Sequence, residues 1–173
     1  MSGEALARLN ALPAASAEAM LREVCGAPGW AESVAANRPF VDRAALEVAA
    51  ETAWDVLDRD AWVAGFESHP RIGEERRVSG GDASAWSRAE QAGMGSADDL
   101  VRASLAEAQR EYERRFGWTY VVCASGRTAE EMRADALARL GNEPDVEIAV
   151  AAREERRIGR LRLEKLLTKG GVG

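Results

Sequence analysis

Apolar residues recur at helical spacing along most of the chain. The clearest stripe lies in residues 43–57, where Leu46, Ala50, Ala53, Trp54 and Leu57 fall at i, i+4, i+7, i+8 and i+11, the period of an amphipathic helix. Residues 97–115 repeat the pattern with Val101, Leu105, Ala108 and Tyr112, and Gly117 ends it. A last helix is predicted over about 143–168, with Ile158, Leu161 and Leu166 on one face. Near the start, residues 4–11 and 16–25 read as two short helices broken at Pro13, and Trp30 to Asn37 as another turn or two ended by Pro39. Asp60 is a candidate cap for a further short helix with Trp62, Val63 and Phe66 inward. Thr128, with Glu131 three residues on, has the form of a capping box, and Gly141 suits the stop of that helix.

Two stretches interrupt this pattern. Residues 71–84 are polar, with Gly73, Gly80 and Gly81 among charges, and read as a loop. Helix resumes near Ala85, carries Ser87, Glu90 and Gln91, and breaks at Gly93 and Gly95. The run Tyr120-Val121-Val122-Cys123-Ala124 is apolar but too short for periodicity to separate strand from buried helix. Gly117 before it and Gly126 after it favour an extended segment threaded through the core. Neither an internal repeat nor a low-complexity linker occurs. The expectation is one all-α domain over residues 1–173, of about eight helices with no regular sheet.

Composition narrows the function classes. The 173 residues suit one domain with a sizeable core. The net charge of −6 and pI of about 5.0 argue against a nucleic-acid partner, which usually demands a basic excess. Arginines are instead interleaved with acids, and Arg153-Glu154-Glu155-Arg156-Arg157 reads as a solvated helix face with i,i+4 pairs. The two cysteines, Cys25 and Cys123, and one histidine cannot supply the four ligands of a structural zinc site. A carboxylate-rich magnesium site stays open at this point, and both cysteines read as reduced, buried small hydrophobes. No apolar run approaches the ~20 residues of a membrane span. Met1-Ser2-Gly3-Glu4 has no leader-like pattern, and the final Gly170-Gly171-Val172-Gly173 is no peroxisomal address. The expected location is cytoplasmic. Phosphate loops, GxGxxG, HExxH and GxSxG are all missing, which disfavours ordinary nucleotide enzymes, zinc peptidases and α/β-hydrolases.

Three constellations remain for chemistry. His69 is the one side chain that ordinarily titrates near neutrality, and Pro70 biases it away from helix at an element end. A lone histidine there is also a common cap or surface residue. Ser87, Glu90 and Gln91 share one helix face at i, i+3 and i+4, so a hydroxyl, a carboxylate and an amide project together. That patch suits an amide-rich small molecule, and equally a solvated polar face. The segment Val121, Val122, Cys123, Ala124, Ser125, followed by Gly126 and Arg127, offers backbone groups and a guanidinium able to grip a carboxylate. The alternative is a buried segment followed by an ordinary turn.

The order of these boxes resembles the 2-oxo-4-hydroxy-4-carboxy-5-ureidoimidazoline (OHCU) decarboxylase family. The resemblance is carried by Leu9-Asn10, Trp30-Ala31, Arg38-Pro39-Phe40, His69-Pro70-Arg71-Ile72-Gly73, Ser87-x-x-Glu90-Gln91, Tyr112-Glu113-x-x-Phe116-Gly117, Tyr120 to Arg127, Arg139-Leu140-x-Asn142, Glu147 and Ile158-x-x-Leu161-Arg162-Leu163. It covers about Leu9 to Leu167. It implies an all-helical, often dimeric enzyme with no metal and no organic cofactor, acting on a small molecule. It implies His69 as the catalytic residue, with Pro70, Ser87, Glu90, Gln91 and Val121 to Ser125 around the substrate; the mechanism expected from these is proton donation by His69, oriented by Glu90. One position departs: some members carry an arginine where this chain has Ser125, and Arg127 is the nearest guanidinium. A shifted substrate on the same fold and a non-catalytic helical scaffold are the rival readings.

Overall fold

Helix is the only regular structure among the described residues of the computed structural model, which cover 2–73 and 99–168. Eight helices are seen there: α1 (Ser2–Ala11), α2 (Ala14–Val24), α3 (Trp30–Ala36), α4 (Arg43–Asp55), α5 (Arg59–Glu67), α6 (Asp99–Phe116), α7 (Ala129–Arg139) and α8 (Pro144–Thr168). The all-α expectation is met, and the boundaries agree with the hydrophobic stripes to within a few residues. The described chain forms two compact units, Met1–Gly65 with Arg156–Gly173, and Phe66–Glu155.

In the first unit α3 packs against α2 and α4. Leu9, Leu21, Val24, Val34 and Leu46 are sealed from solvent, and each such side chain contributes about 1.5–3 kcal/mol on burial. Polar ties fix the loops between these helices. Arg38 donates through Nη1 to the carbonyls of Leu9 (2.8 Å) and Leu12 (2.7 Å), satisfying the end of α1. Asn10 exchanges two 2.9 Å hydrogen bonds with the backbone of Phe40. The Trp30 indole donates 3.0 Å to the Ala50 carbonyl, joining α3 to α4. Gly65 of α5 passes so close to Ala27 that a Cβ there would sit 3.1 Å from the Ala27 Cβ.

Several local expectations are corrected. The cap of α5 is Asp58, whose carboxylate accepts from the Ala61 amide at 2.8 Å, rather than Asp60, which lies inside the helix. Within α5, Phe66 is fully buried while Trp62 and Val63 are only half-buried. Leu57 falls beyond the end of α4. The Thr128–Glu131 capping box forms as read. Gly141 does follow α7, but without the left-handed conformation a glycine stop usually exploits. Both cysteines are buried and form no disulfide.

The second unit pairs α6 with α7. Its core gathers Phe66, Leu105, Tyr112, Tyr120, Met132 and Ala136. Tyr120 to Ala124 adopts neither helix nor strand and is buried throughout, as a segment passing through the core.

Candidate active site

Two polar brackets hold the segment that carries His69. The His69 amide donates to the Phe66 carbonyl (3.2 Å), which prolongs the end of α5 by one turn. Ile72 is then clamped by Gln109 of α6: its amide donates to Oε1 (2.8 Å), and its carbonyl accepts from Nε2 (3.0 Å). Both partners are buried. One helical turn further along α6, Glu113 takes a two-pronged grip on Arg71, at 2.8 and 2.6 Å. Gln109 and Glu113 thus tie both residues that follow Pro70 to one face of α6. The sequence reading passed over Gln109. Its signal was an amide on the stripe of Leu105, Ala108, Tyr112 and Phe116, where an apolar residue is the usual occupant.

The His69 side chain is 10% exposed and meets a carboxylate that the sequence reading assigned elsewhere. Its Nε2 lies 2.6 Å from Oε2 of Glu155, which is 1% exposed. This corrects the solvated face expected for Arg153 to Arg157. Glu155 continues the buried stripe of Glu147, Ile148, Ala151 and Ala152 along α8. The imidazole and carboxylate are close but not aligned as a directed hydrogen bond, and among the described residues no other group bonds either Glu155 oxygen. Nε2 and both Glu155 oxygens are closed to water, so each is the nearest polar group the other can use across the 2.6 Å between them.

The adjacent residue of α8 brings in the other candidate segment. Glu154 Oε2 accepts from the Cys123 amide at 2.8 Å. Consecutive residues of one helix therefore touch His69 and the Val121–Ser125 run. Within that run Val121, Val122, Cys123 and Ala124 are buried, while Ser125 is exposed in the following turn. Arg127 lies between two acids, 3.5 Å from Asp135 and 3.7 Å from Glu154. Ser87, Glu90 and Gln91 lie outside the described residues, as does most of the loop read over 71–84.

A buried charge network sets the position of Val121. Arg139 donates to the Val121 carbonyl (2.8 Å) and to Glu147 (2.8 Å from Nε), and its guanidinium stacks 4.8 Å over the Tyr120 ring. Glu147 also accepts from the Tyr112 hydroxyl and from Asn142 (2.7 Å). Tyr120 donates to Asp135. Burial pushes both phenols above the usual tyrosine range, and the neighbouring carboxylates push the same way. Burial also works against the Arg139 charge, but Glu147 and the two phenols outweigh it and hold the guanidinium protonated more firmly than usual. These groups are frame rather than chemistry: each is committed to a protein partner.

No helix among the described residues is long and apolar enough to cross a membrane. Residues 10–164 match the family model described as OHCU decarboxylase. The uric acid degradation bifunctional protein TTL of Arabidopsis thaliana is 30% identical over 83% of this chain and 45% of its own length. The bifunctional protein PucL of Bacillus subtilis (strain 168) is 29% identical over 82% of this chain, which spans only 28% of it. The chain thus spans less than half of either bifunctional relative. It is 34% identical to the 2-oxo-4-hydroxy-4-carboxy-5-ureidoimidazoline decarboxylase of Amia calva, over 81% of each protein. A crystal structure of OHCU decarboxylase in the presence of (S)-allantoin superposes with a TM-score of 0.74 at 28% identity, over 86% of this chain and 96% of that one. By this match along most of its length, the chain belongs to the OHCU decarboxylase family.

Proposed function

We propose that this protein decarboxylates 2-oxo-4-hydroxy-4-carboxy-5-ureidoimidazoline to (S)-allantoin, with His69 as the proton donor. The observation that carries the reading is that Glu155 and Glu154, on one turn of α8, meet His69 and the Cys123 amide, within a chain of this family. The substrate bears its carboxylate on a ring carbon that also holds a hydroxyl. As the bond to CO₂ breaks, its electron pair moves toward the neighbouring ring carbon, and the C=N there takes up the displaced pair at nitrogen, which is protonated. The hydroxyl then loses its proton to become a carbonyl, and the ureido-bearing carbon gains one. The sink is inside the substrate, so the reading needs no organic cofactor.

The protein's tasks are to turn the carboxylate out of the plane of that π system and to protonate one face. His69 does the second, and delivery from one side makes the product one-handed. Glu90 assists it. Pro70, Ser87, Gln91 and the Val121–Ser125 segment line the substrate, with Ser87 and Gln91 gripping the ureido and ring amides. Arg127 neutralises acids beside that segment. We read residues 1–173 as one functional domain, in keeping with a family match that runs through both compact units. Resemblance to a family that is often dimeric supports a homodimer, and buried cysteines outside any disulfide suit the cytoplasm.

The test is to make the substrate in situ from urate with urate oxidase and hydroxyisourate hydrolase, add the protein, and follow circular dichroism. Rapid growth of a one-handed signal is expected. His69→Asn should lower kcat by about 10²–10⁴-fold, the range of general acid catalysis, with the fold intact. Unaccelerated decay to racemic product would overturn the reading, and a His69→Asn rate equal to wild type would remove His69 from it.

A further inference from the structure

We infer that Glu155 is a positioning residue for His69: it accepts the Nε2 proton of the imidazole and so leaves Nδ1 as the nitrogen that serves the substrate. The inference deepens the proposed function and rests on its assignment of His69. It starts from the geometry of a buried pair. Glu155 is 1% exposed, and among the described residues neither of its oxygens has an aligned hydrogen-bond partner; Nε2 of His69 lies 2.6 Å from Oε2. An ionised carboxylate taken out of water without a partner is costly, and it becomes tolerable when a proton donor or a cation faces it. The imidazole is that group.

The consequence for the ring follows from donor and acceptor counting. A carboxylate only accepts, whereas a neutral imidazole has one N–H and one bare nitrogen. The nitrogen against Glu155 must therefore carry the hydrogen, and Nδ1 is the bare one. Nε2 is sealed in the protein, but Nδ1 is not among the sealed, unpartnered atoms. When the ring takes a second proton, it takes it on Nδ1, and the adjacent carboxylate balances the imidazolium charge. Transfer of that proton to the ureido-bearing carbon breaks the Nδ1–H bond and forms a C–H bond. The ring is left neutral with its proton on Nε2, still facing Glu155. The proton released as the substrate hydroxyl becomes a carbonyl returns one to the ring, and the proton taken up by the substrate's ring nitrogen comes from solvent, so each turnover consumes one proton. Glu155 touches no reacting atom; it acts by fixing which nitrogen is free and how the ring is turned, as second partners of catalytic histidines do.

Placement on α8 supports this role. The neighbouring Glu154 is held by the Cys123 amide and lies 3.7 Å from Arg127, so its carboxylate is committed elsewhere. The α8 backbone is thereby tied down beside Glu155. The imidazole is tied from its own side by the clamp of Ile72 on Gln109 and of Arg71 on Glu113.

Because the chain holds one histidine, ¹⁵N-histidine labelling gives two ring-nitrogen signals and no others. At a pH where the ring is neutral, the wild type should show a protonated Nε2 and a bare Nδ1. Glu155→Leu should shift this toward a mixture of tautomers and lower kcat by about 10²-fold, with KM changed less than about threefold. Glu155→Gln keeps the volume and an accepting oxygen, and should fall between the two; it also serves if the leucine variant does not fold. A wild-type proton on Nδ1 would overturn the inference. So would a Glu155 variant with an unchanged tautomer, whatever its rate. The tautomer is read without substrate, so it decides the role of Glu155 even if the wild-type protein fails to accelerate the reaction.

Discussion

Gln109→Leu removes the clamp on the segment that carries His69, and its effect follows from what is left behind. Gln109 exchanges two hydrogen bonds with the Ile72 backbone, across 37 residues of chain, in a place where both residues are buried. Leucine has similar bulk and no polar atom. The Ile72 amide and carbonyl then face an apolar group, and each buried orphan costs about 1–3 kcal/mol. Better burial of the leucine returns about 1 kcal/mol. The net expectation is a loss of about 1–5 kcal/mol, unless Ile72 swings out to water. In that event the stability loss shrinks but the His69–Pro70–Arg71 segment is released, and kcat falls instead. The Arg71–Glu113 pair cannot hold it alone, because Arg71 is 40% exposed and such pairs are worth about 1 kcal/mol or less. Urea denaturation and turnover of the same preparation read the two branches. With m values of about 1–3 kcal/mol/M, a midpoint lowered by about 1–2 M is expected, or a kcat lowered by about tenfold or more. A variant within 0.5 kcal/mol of wild type and with unchanged kcat would refute the clamp.

Two other perturbations test the frame. Arg139→Met leaves Glu147 buried without its cation and should destabilise the protein by about 3–5 kcal/mol, on the order of 10 °C in Tm, by calorimetry; a loss of under 2 °C would show that Tyr112 and Asn142 suffice. In the first unit, Arg160 and then Arg156 hold the Glu51 carboxyl below its ordinary value, against a smaller effect of burial. A depressed carboxyl adds stability that is fully present above the ordinary glutamate range near 4.3 and is lost as pH falls through the folded value. Glu51→Gln should therefore be less stable than wild type at pH 7, by about 1 kcal/mol or less because the site is partly solvated. The two denaturation curves should converge once the pH has fallen well below the ordinary glutamate range; a gap that persists there would assign the effect to packing.

The helices were legible because their information is local. Leu46, Ala50, Ala53 and Trp54 declare a buried face within a few turns, and Thr128 with Glu131 declares a start within four residues. Asp60 reads as the cap where Asp58 serves for the same local reason: two acids near one helix start offer nearly equal caps, and the backbone geometry decides between them. The irregular course of Tyr120 to Ala124 was also readable, since an apolar run between two glycines has few ways to be buried without a sheet.

Resemblance singled out His69, and the sequence by itself determined that this chain has only one imidazole to offer. What faces that imidazole was decided by tertiary structure alone. Glu155 sits in a run of charges that looks solvated, and only the packing of α8 turns it inward while its neighbours Arg153 and Arg157 stay exposed. Gln109 likewise looks like one more polar residue on a long helix until Ile72 arrives to be clamped. Periodicity reports which side of a helix is apolar, because that depends on residues a turn apart. A buried carboxylate or amide is tolerated only when a partner from a distant part of the chain meets it, and that meeting exists only once the chain has folded.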